Sequence, residues 1–412
     1  MKRIDFASFV WILVAHSFAP AQPAPAQPAP AWRIVTADGS TIDADASLRI
    51  RADGAVERAK STIVAAAVLE IVAVGANRPD VPNGPQAVLA GGDRIVGRVE
   101  AIDATSVRLQ STRIPTLTPT IPLSRVSILW MDRKPDGTQL QDPRWDFLTK
   151  PRRRDIVVLK TGERVDGTLR DMKDDRLSIA EDNDSKPRDR TFARADVLAI
   201  AFNTELTRTR KPADAYAVVA LRDGSRLTVV APTLEGGKLR ATTLWKQPIE
   251  IEADAIASIR PENRGPIYLD DIKPAEYIYV AFLSESILWQ AGRNSQLAPL
   301  SLREPAGVST FERGIGMHSQ SMLSFDLAKK YARFDCLVGL DAIDGKGGEA
   351  EILLRLDGKE IPGTRRILKS GDDARRLSVA VAGGSRLTLE VLHGKGGPVR
   401  DVVDWCNAVL IP

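Results

Sequence analysis

The stretch FERGIGMHSQSMLSFDL, residues 311–327, decides how the C-terminal third of this chain folds. Gly314 and Gly316 stand two residues apart, and glycine permits backbone bends at which a Cβ would clash. From Met322 to Leu327 the side chains alternate with the period of a half-buried strand. The stretch therefore predicts a turn over residues 314–319 that leads into a β-strand.

The sequence downstream of this stretch continues in short strands and tight turns. Residues 331–342 and 401–411 are strand-like runs, and hairpin turns are indicated at Asp357-Gly358 and Gly383-Gly384. Helix-length amphipathic runs do not occur in this region. We therefore predict a jelly-roll β-sandwich over residues 266–412.

Upstream, a β unit repeats four times between Trp32 and Arg264. Each copy has two apolar runs around a turn glycine, the four glycines being Gly39, Gly92, Gly162 and Gly224. Each copy ends in three spaced apolar residues, as in Phe192, Val197 and Ile200. We place the copies at residues 32–80, 81–131, 156–212 and 213–264. Their strand pattern resembles SH3-like or Sm-like small barrels, so the predicted class is all-β, with tandem small barrels before the jelly roll. The first copy is the most degenerate, and we expect it to act as a cap.

A charged insertion, residues 132–155, separates the second and third repeats. It ends in PRWDFLTKPRRRD, in which Trp145 and Phe147 precede three consecutive arginines. One interpretation is a contact for an anionic polysaccharide or phosphate. The pattern favours the other interpretation, a solvated and loosely packed linker.

The first 31 residues indicate export. Lys2 and Arg3 precede a short apolar core, and small residues follow at Ala19-Pro20-Ala21, which predicts a signal peptide over residues 1–21. Residues 22–31 form a Pro/Ala linker. We expect a periplasmic, cell-surface or extracellular protein without a membrane span after cleavage, the alternative being an N-terminal membrane anchor.

The balance of charged residues indicates which classes of partner to expect. With 57 Lys and Arg against 53 Asp and Glu, and no basic-aromatic motif, we expect no nucleic-acid partner.

Cys336 and Cys406 share the parity of apolar neighbours in their strands, so both are expected to point inward. Whether they form a disulfide or two buried thiols stays open.

Residues 267–412 resemble the NPCBM family of carbohydrate-binding modules. The matching segments, in the family's order, are YLDDIKP, GIGMHSQSMLSFDL, FDCLVGLDA, LDGKEI and DVVDW followed by Ala408-Val409-Leu410. The family pattern has a histidine where this chain has Val402. The resemblance implies a galactose-binding-like jelly roll that contacts a glycan.

Sugar recognition requires an aromatic ring and planar polar groups, which suggests candidates near the predicted strand ends. The candidates are His318, Ser319, Asp341, Asp404 and Trp405, with Trp289 and Tyr277 in reserve. Each also has a structural interpretation: Trp405 as packing on the face opposite Cys406, and His318 as a turn residue that bonds the backbone. Asp341 and Asp344 are candidate ligands of a structural calcium, and no other cofactor is expected.

Catalysis is not expected. Only His318 and His393 lie outside the signal peptide, and no metal-spaced cluster or phosphate-binding glycine loop is present. The first hypothesis is an exported, non-catalytic binder of a glycan or cell-envelope polysaccharide, with the repeats as spacer or docking array. The second is a cell-envelope structural protein with a protein partner and no sugar binding.

Overall fold

A computed structural model describes residues 32–38, 40–58, 61–76, 82–111, 113–114, 120–135, 143–148, 150–181, 188–207, 212–281 and 287–412. The predicted signal peptide, the Pro/Ala linker and the turn glycine Gly39 lie outside these residues. Within them, all regular elements are β-strands and short 3-10 turns, which confirms the all-β prediction. No helix in the described part of the chain is long and apolar enough to cross a membrane.

The first two repeats consist of short strands. Repeat 1 contains β1 (Trp32–Thr36), β2 (Thr41–Ala44), β3 (Arg49–Ile50), β4 (Val56–Arg58), β5 (Ser61–Ile63), a 3-10 turn (Ala65–Ala67) and β6 (Val68–Ala73). Repeat 2 contains β7 (Gln86–Leu89), β8 (Arg94–Val96), β9 (Arg98–Ile102), β10 (Ser106–Gln110), β11 (Thr120–Pro122), a 3-10 turn (Leu123–Arg125) and β12 (Val126–Trp130).

The last two repeats have longer strands. Repeat 3 follows a 3-10 turn (Pro143–Leu148) and contains β13 (Asp155–Leu159), β14 (Arg164–Lys173), β15 (Arg176–Glu181), β16 (Arg188–Ala193), a 3-10 turn (Arg194–Asp196) and β17 (Val197–Ala201). Repeat 4 contains β18 (Tyr216–Leu221), β19 (Arg226–Glu235), β20 (Lys238–Thr243), β21 (Pro248–Glu252), a 3-10 turn (Ala253–Ala255) and β22 (Ile256–Glu262).

Each repeat closes into a small barrel because its last strand pairs with its first. β22 pairs with β18 and β17 with β13, both antiparallel, and the 3-10 turn redirects the chain before the closing strand. The turn glycines Gly92, Gly162 and Gly224 have φ of 89°, 90° and 87°. This left-handed conformation favours glycine, which explains its recurrence at this position.

The barrels associate in pairs, and one of these pairs joins the first and last repeats of the chain. β6 of repeat 1 pairs with β22 of repeat 4, joining Ile71 to Ile259, and β12 of repeat 2 pairs with β17 of repeat 3. One apolar cluster runs through all four barrels. The first repeat is therefore joined through its closing strand to the last repeat of the chain, and its role as a cap stays a prediction.

The part of the charged insertion around Trp145 and Phe147 is packed, contrary to the favoured linker interpretation. Trp145 and Phe147 are buried in a separate cluster with Ile128, Trp130 and Ile156, beneath the paired strands of repeats 2 and 3. The ring centroids of Trp130 and Trp145 are 5.8 Å apart. Burial of these aromatic rings anchors the insertion to the barrels.

The C-terminal domain is a sandwich of two antiparallel sheets and a hairpin. Its elements are β23 (Ile267–Tyr268), a 3-10 turn (Leu269–Asp271), β24 (Glu276–Tyr279), β25 (Gln290–Ala291), β26 (Leu300–Glu304), β27 (Gly307–Phe311), β28 (Gly314–His318), β29 (Ser321–Asp326), β30 (Arg333–Leu340), β31 (Glu349–Leu356), β32 (Lys359–Glu360), β33 (Arg366–Lys369), β34 (Arg375–Ala380), β35 (Arg386–His393) and β36 (Val402–Ile411). One sheet has the order β25-β28-β36-β30-β34, and the other has the order β24-β29-β35-β31-β32.

The opening stretch differs from its prediction in one respect. Gly314 to His318 form strand β28, not a turn, and only Ser319 and Gln320 connect it to β29. A Cβ on Gly314 would lie 2.4 Å from the Trp405 carbonyl oxygen, and one on Gly316 would lie 2.4 Å from the Arg293 carbonyl oxygen. The glycines are present because neighbouring backbone approaches β28 too closely for a side chain.

A partly buried ion-pair cluster joins the barrels to the jelly roll. Glu312 accepts from Arg94 at 2.8 Å and lies 3.2 Å from the Nη1 atom of Arg226. Arg94 and Arg226 face each other where β8 pairs with β19. Both arginines stand two residues after a turn glycine, so the same repeat position supplies both cations.

Candidate functional site

Three turns meet at one end of the jelly roll, which we call the loop end: residues 318–321, 341–348 and 394–401. They meet because β28, β30 and β35 end, and β29, β31 and β36 begin, at the same edge of the sandwich. A Cβ on Gly348 would lie 2.2 Å from the Arg400 carbonyl oxygen. The glycine-rich turn therefore packs directly against the turn before β36.

A buried polar group lies beneath the loop end. The Ser319 hydroxyl donates to Asp401 at 2.7 Å, and the backbone N–H of Glu349 donates to the other carboxylate oxygen at 3.3 Å. The His318 Nδ1 donates to the Ser319 carbonyl at 2.8 Å. Burial raises the pKa of Asp401, and the hydrogen bonds from Ser319 and Glu349 offset part of this effect. These bonds hold the connection between β28 and β29 in place.

Only part of the loop end is available to a ligand. Gln320 donates its amide to the Nδ1 of His393 at 2.9 Å, and His393 is exposed. Lys346, Lys395 and Arg400 are also exposed around them. An amide, an imidazole and flanking cations can form hydrogen bonds with sugar hydroxyls, but none of these side chains is a Trp, Tyr or Phe ring.

Asp341 and Asp404 form a second buried group, behind the loop end. Asp341 accepts from the backbone N–H groups of Ile343 and Asp344 at 2.9 and 2.7 Å, and from the Ser301 hydroxyl at 2.8 Å. Asp404 accepts from the Ser301 N–H at 3.0 Å. Burial raises the pKa of Asp404 well above its usual value, and the neighbouring Asp341 raises it further. Both effects favour the protonated form of the Asp404 carboxyl.

The Asp404 proton predicts a pH-dependent stability. In the unfolded chain, Asp404 releases its proton above the ordinary pKa of 3.8. In the folded chain the pKa is higher, so the proton stays bound to a higher pH. This contribution to the free energy of unfolding is therefore complete at low pH and declines as the pH rises through the folded-state pKa. We expect Asp404→Asn to remove this decline, which thermal unfolding at pH 5, 7 and 9 would measure. Parallel pH profiles for the two proteins would contradict the assignment.

The calcium candidates do not form a recognisable ligand set. Asp344 accepts from the Asn294 side chain at 2.8 Å, and both Asp341 oxygens accept hydrogen bonds from protein groups. Within the described ranges, no group of three or more His, Cys, Asp or Glu side chains could hold a metal ion. A calcium at Asp341 and Asp344 stays a prediction, to be checked by calcium titration.

Trp405 and Cys406 lie on the faces opposite to those predicted. Trp405 has no exposed surface and packs in the sandwich core, whereas Cys406 lies under the β26–β27 hairpin with Leu300. The reason is a bulge: the register of β36 against β30 shifts beside Asn407, whose φ is 50°. A bulge reverses the parity of the residues that precede it.

The two cysteines are therefore separated by the sheet. Cys336 points into the core, as predicted, and both cysteines are buried and form no disulfide. Burial raises the pKa of the Cys336 thiol far above its ordinary value, so this thiol is protonated and poorly reactive.

The sequence candidates thus fall into three places. His318 and Ser319 belong to the polar group beneath the loop end, Asp341 and Asp404 belong to the carboxyl pair, and Trp405 belongs to the core. The reserve candidate Tyr277 is half-buried and donates its hydroxyl to the Ile287 carbonyl at 2.6 Å. Trp289 is half-buried against the core.

The polar residues that sequence analysis missed are Asp401, Gln320 and His393. Ser319 and Asp401 are 82 positions apart, so their contact has no local pattern. The sequence contained one signal for Asp401: it is the first aspartate of DVVDW, and the family pattern has a histidine directly after this position.

Taken together, the C-terminal domain is an antiparallel jelly-roll module whose loop end carries polar groups. Residues 267–411 match the NPCBM/NEW2 domain family, which confirms the resemblance seen in the sequence. None of the curated proteins compared with the chain matches it.

Solved structures with similarity to the chain include modules called CBM51. A CBM51 module with INT domains from Clostridium perfringens ZmpB, in complex with GlcNAc, is 21% identical, with 42% of this chain and 36% of that chain covered and a TM-score of 0.33. The CBM51 module of a Clostridium perfringens GH95 protein, in complex with methyl-galactose, is 19% identical, covering 35% and 99%, with a TM-score of 0.32. The tandem CBM51 modules of a Streptococcus pneumoniae family 98 glycoside hydrolase are 10% identical, covering 92% and 87%, with a TM-score of 0.32.

Proposed function

We propose that this chain is an exported, non-catalytic carbohydrate-binding protein whose jelly roll contacts a glycan. The observation that carries the proposal is the NPCBM/NEW2 match, which spans the C-terminal domain from its first strand to its last. The loop end supplies accessible hydrogen-bonding groups in Gln320 and His393. The glycan contact belongs at this end, since the other candidate side chains are occupied inside the domain.

The four barrels serve as a spacer or docking array. The barrels share one apolar core and are joined to the jelly roll by ion pairs. Both features favour a rigid scaffold over a flexible string of modules. The signal-peptide pattern and the Pro/Ala linker of the first 31 residues support export and display away from the point of attachment.

The geometry of the carboxyl groups supports a non-catalytic role. Glycoside hydrolysis uses two carboxyl groups that flank the substrate with separate protonation states. Asp341 and Asp404 are both buried and both accept from Ser301, which leaves them no route to a bound sugar.

A second candidate is a cell-envelope structural protein that binds a protein partner. Two observations favour it: Ser319 and Asp401 are bonded to each other inside the domain, and Val402 stands at the family's histidine position. An apolar side chain there cannot bond a sugar hydroxyl.

A glycan array with the full chain tests the first candidate against the second. We expect binding to a defined glycan, and we expect Gln320→Ala combined with His393→Ala to weaken it about tenfold, since each lost hydrogen bond contributes about 0.5–1.5 kcal/mol. Lys359→Ala is the matched control, because this exposed residue lies at the opposite end of β31. Absence of binding to any glycan would favour the structural role. Binding that survives the double substitution would move the site away from the loop end.

A further inference from the structure

A basic groove lies where the charged insertion meets repeat 3. Its cavity of about 360 Å³ is lined by Phe147, Lys150, Pro151, Arg152, Arg153, Arg154, Ile156, Arg164 and Asp166. Five of these side chains are cationic and one is a carboxylate. The groove belongs to the barrels and not to the jelly roll, so it is separate from the loop end.

The groove is built on a rigid base. Trp145 and Phe147 are buried, and their ring centroids are 5.8 Å apart. They pack against the paired closing strands of repeats 2 and 3. The basic run that follows Phe147 is therefore tied to a fixed platform.

Arg152 fixes the middle of the basic run. It is buried, its Nε donates to the Phe202 carbonyl at 3.0 Å, and its Nη2 donates to the Ser127 hydroxyl at 3.0 Å. Its backbone N–H donates to the Thr204 hydroxyl at 2.7 Å. The Asn203 side chain donates to the next carbonyl, that of Arg153, at 2.8 Å. A backbone held this way presents the neighbouring cations without a large ordering cost on binding.

Two of the outer cations, Arg153 and Arg164, are accessible and held by weak pairs. The Arg153 side chain is 87% exposed and lies 3.2 Å from Glu205. The Arg164 side chain is 42% exposed, bonds Asp166 at 2.8 Å and places its guanidinium 5.4 Å from the centroid of the Phe147 ring. Exposed ion pairs contribute little to stability, so these arginines can turn to an anionic ligand at small cost.

We propose that the basic groove binds an acidic polysaccharide. Lys150, Arg153, Arg154 and Arg164 bring four cations to one groove, which suits a ligand with several negative charges, and planar guanidinium groups bond carboxylates in a bidentate way. Phe147 is buried, so no aromatic ring among the lining residues can stack on a nucleic-acid base. Ile156 is buried as well, so the lining presents no large apolar side chain for insertion into lipid. An acidic polysaccharide can be held through its carboxylates by the guanidinium groups, so its binding does not depend on the aromatic stacking that a neutral sugar uses.

The test compares two forms of one polymer on the full chain. Polygalacturonate carries a carboxylate on each residue, and its methyl-esterified form has the same backbone without that charge. We expect binding to the first form only, weakening as salt is raised. The double variant Arg153→Gln with Arg154→Gln should bind about tenfold more weakly. The matched control is Arg375→Gln with Arg376→Gln, which removes two exposed adjacent arginines from the jelly roll and should change affinity less than about twofold.

Three results would overturn the proposal: no binding to polygalacturonate, equal weakening by the control pair, or stronger binding to duplex DNA or phosphatidylglycerol vesicles at equal charge concentration. The Gln320→Ala and His393→Ala double variant separates this site from the jelly roll. It should retain polygalacturonate binding whether or not the jelly roll binds a glycan.

Discussion

Replacing Trp405 with alanine is expected to lower the free energy of unfolding of the jelly roll by about 3–5 kcal/mol, the cost of removing a large aromatic ring from a packed core. Trp405 has no exposed surface. It packs in the core of the sandwich, among apolar side chains that come from both sheets. Because the ring is enclosed, the loss should appear as stability and not as a selective loss of ligand binding. Urea unfolding would measure the loss of stability, and hydrogen exchange in β30 and β36 would show that the loss lies in the jelly roll.

Trp289→Ala is the control for this experiment. The side chain belongs to the same domain but is only half-buried at the edge of the same core. We expect it to cost less than Trp405→Ala, because less apolar surface returns to water. A Trp405→Ala protein with unchanged stability and lost glycan binding would restore Trp405 as a ligand residue.

Replacing Glu312 with glutamine is expected to lower the free energy of unfolding by about 2–3 kcal/mol. A fully buried pair that loses one partner costs about 3–5 kcal/mol, and one third of the Glu312 side chain is exposed. The variant leaves Arg94 and Arg226 facing each other without the carboxylate between them. Thermal unfolding of the full chain at pH 7 would measure the loss, and Glu276→Gln, in an exposed pair, should change stability by less than about 1 kcal/mol.

The effect of Glu312 should depend on pH. Burial would raise the pKa of Glu312, but Arg226 and Arg94 outweigh burial and hold the pKa below its usual value of 4.5. A lowered folded-state pKa means that the stabilisation is present above pH 4.5 and is lost as the pH falls through the folded-state pKa. The original protein and Glu312→Gln should therefore converge in stability in acid. Curves that stay equally separated at every pH would show that charge is not the cause.

Local pattern was sufficient for the turns of the repeats and for most strands. Gly92, Gly162 and Gly224 have the left-handed conformation that their Gly-Asp, Thr-Gly and Asp-Gly contexts predict. Cys336 faces the core as its parity predicts. These features depend on residues within a few positions of each other, so they can be recognised in a single sequence.

Parity failed for Cys406 because the bulge at Asn407 is set by a partner strand. The Asn407 N–H donates to the Arg313 carbonyl at 2.9 Å, and Arg313 lies 94 positions earlier in the chain. The insertion was misjudged for a similar reason: Trp145 is buried only because strands of repeats 2 and 3 pair above it. Neither partner can be identified from the residues next to it.

Sequence alone is sufficient to define an all-β chain of four repeats and a jelly roll, the family of that jelly roll and the basic run after Phe147. Periodicity and turn chemistry are local, and a family pattern needs only the order of its motifs. Tertiary structure alone decides that repeat 1 joins repeat 4, that Glu312 lies between Arg94 and Arg226, and that Ser319 meets Asp401. These contacts join residues far apart in the chain, and they follow from how whole sheets pack and shift register.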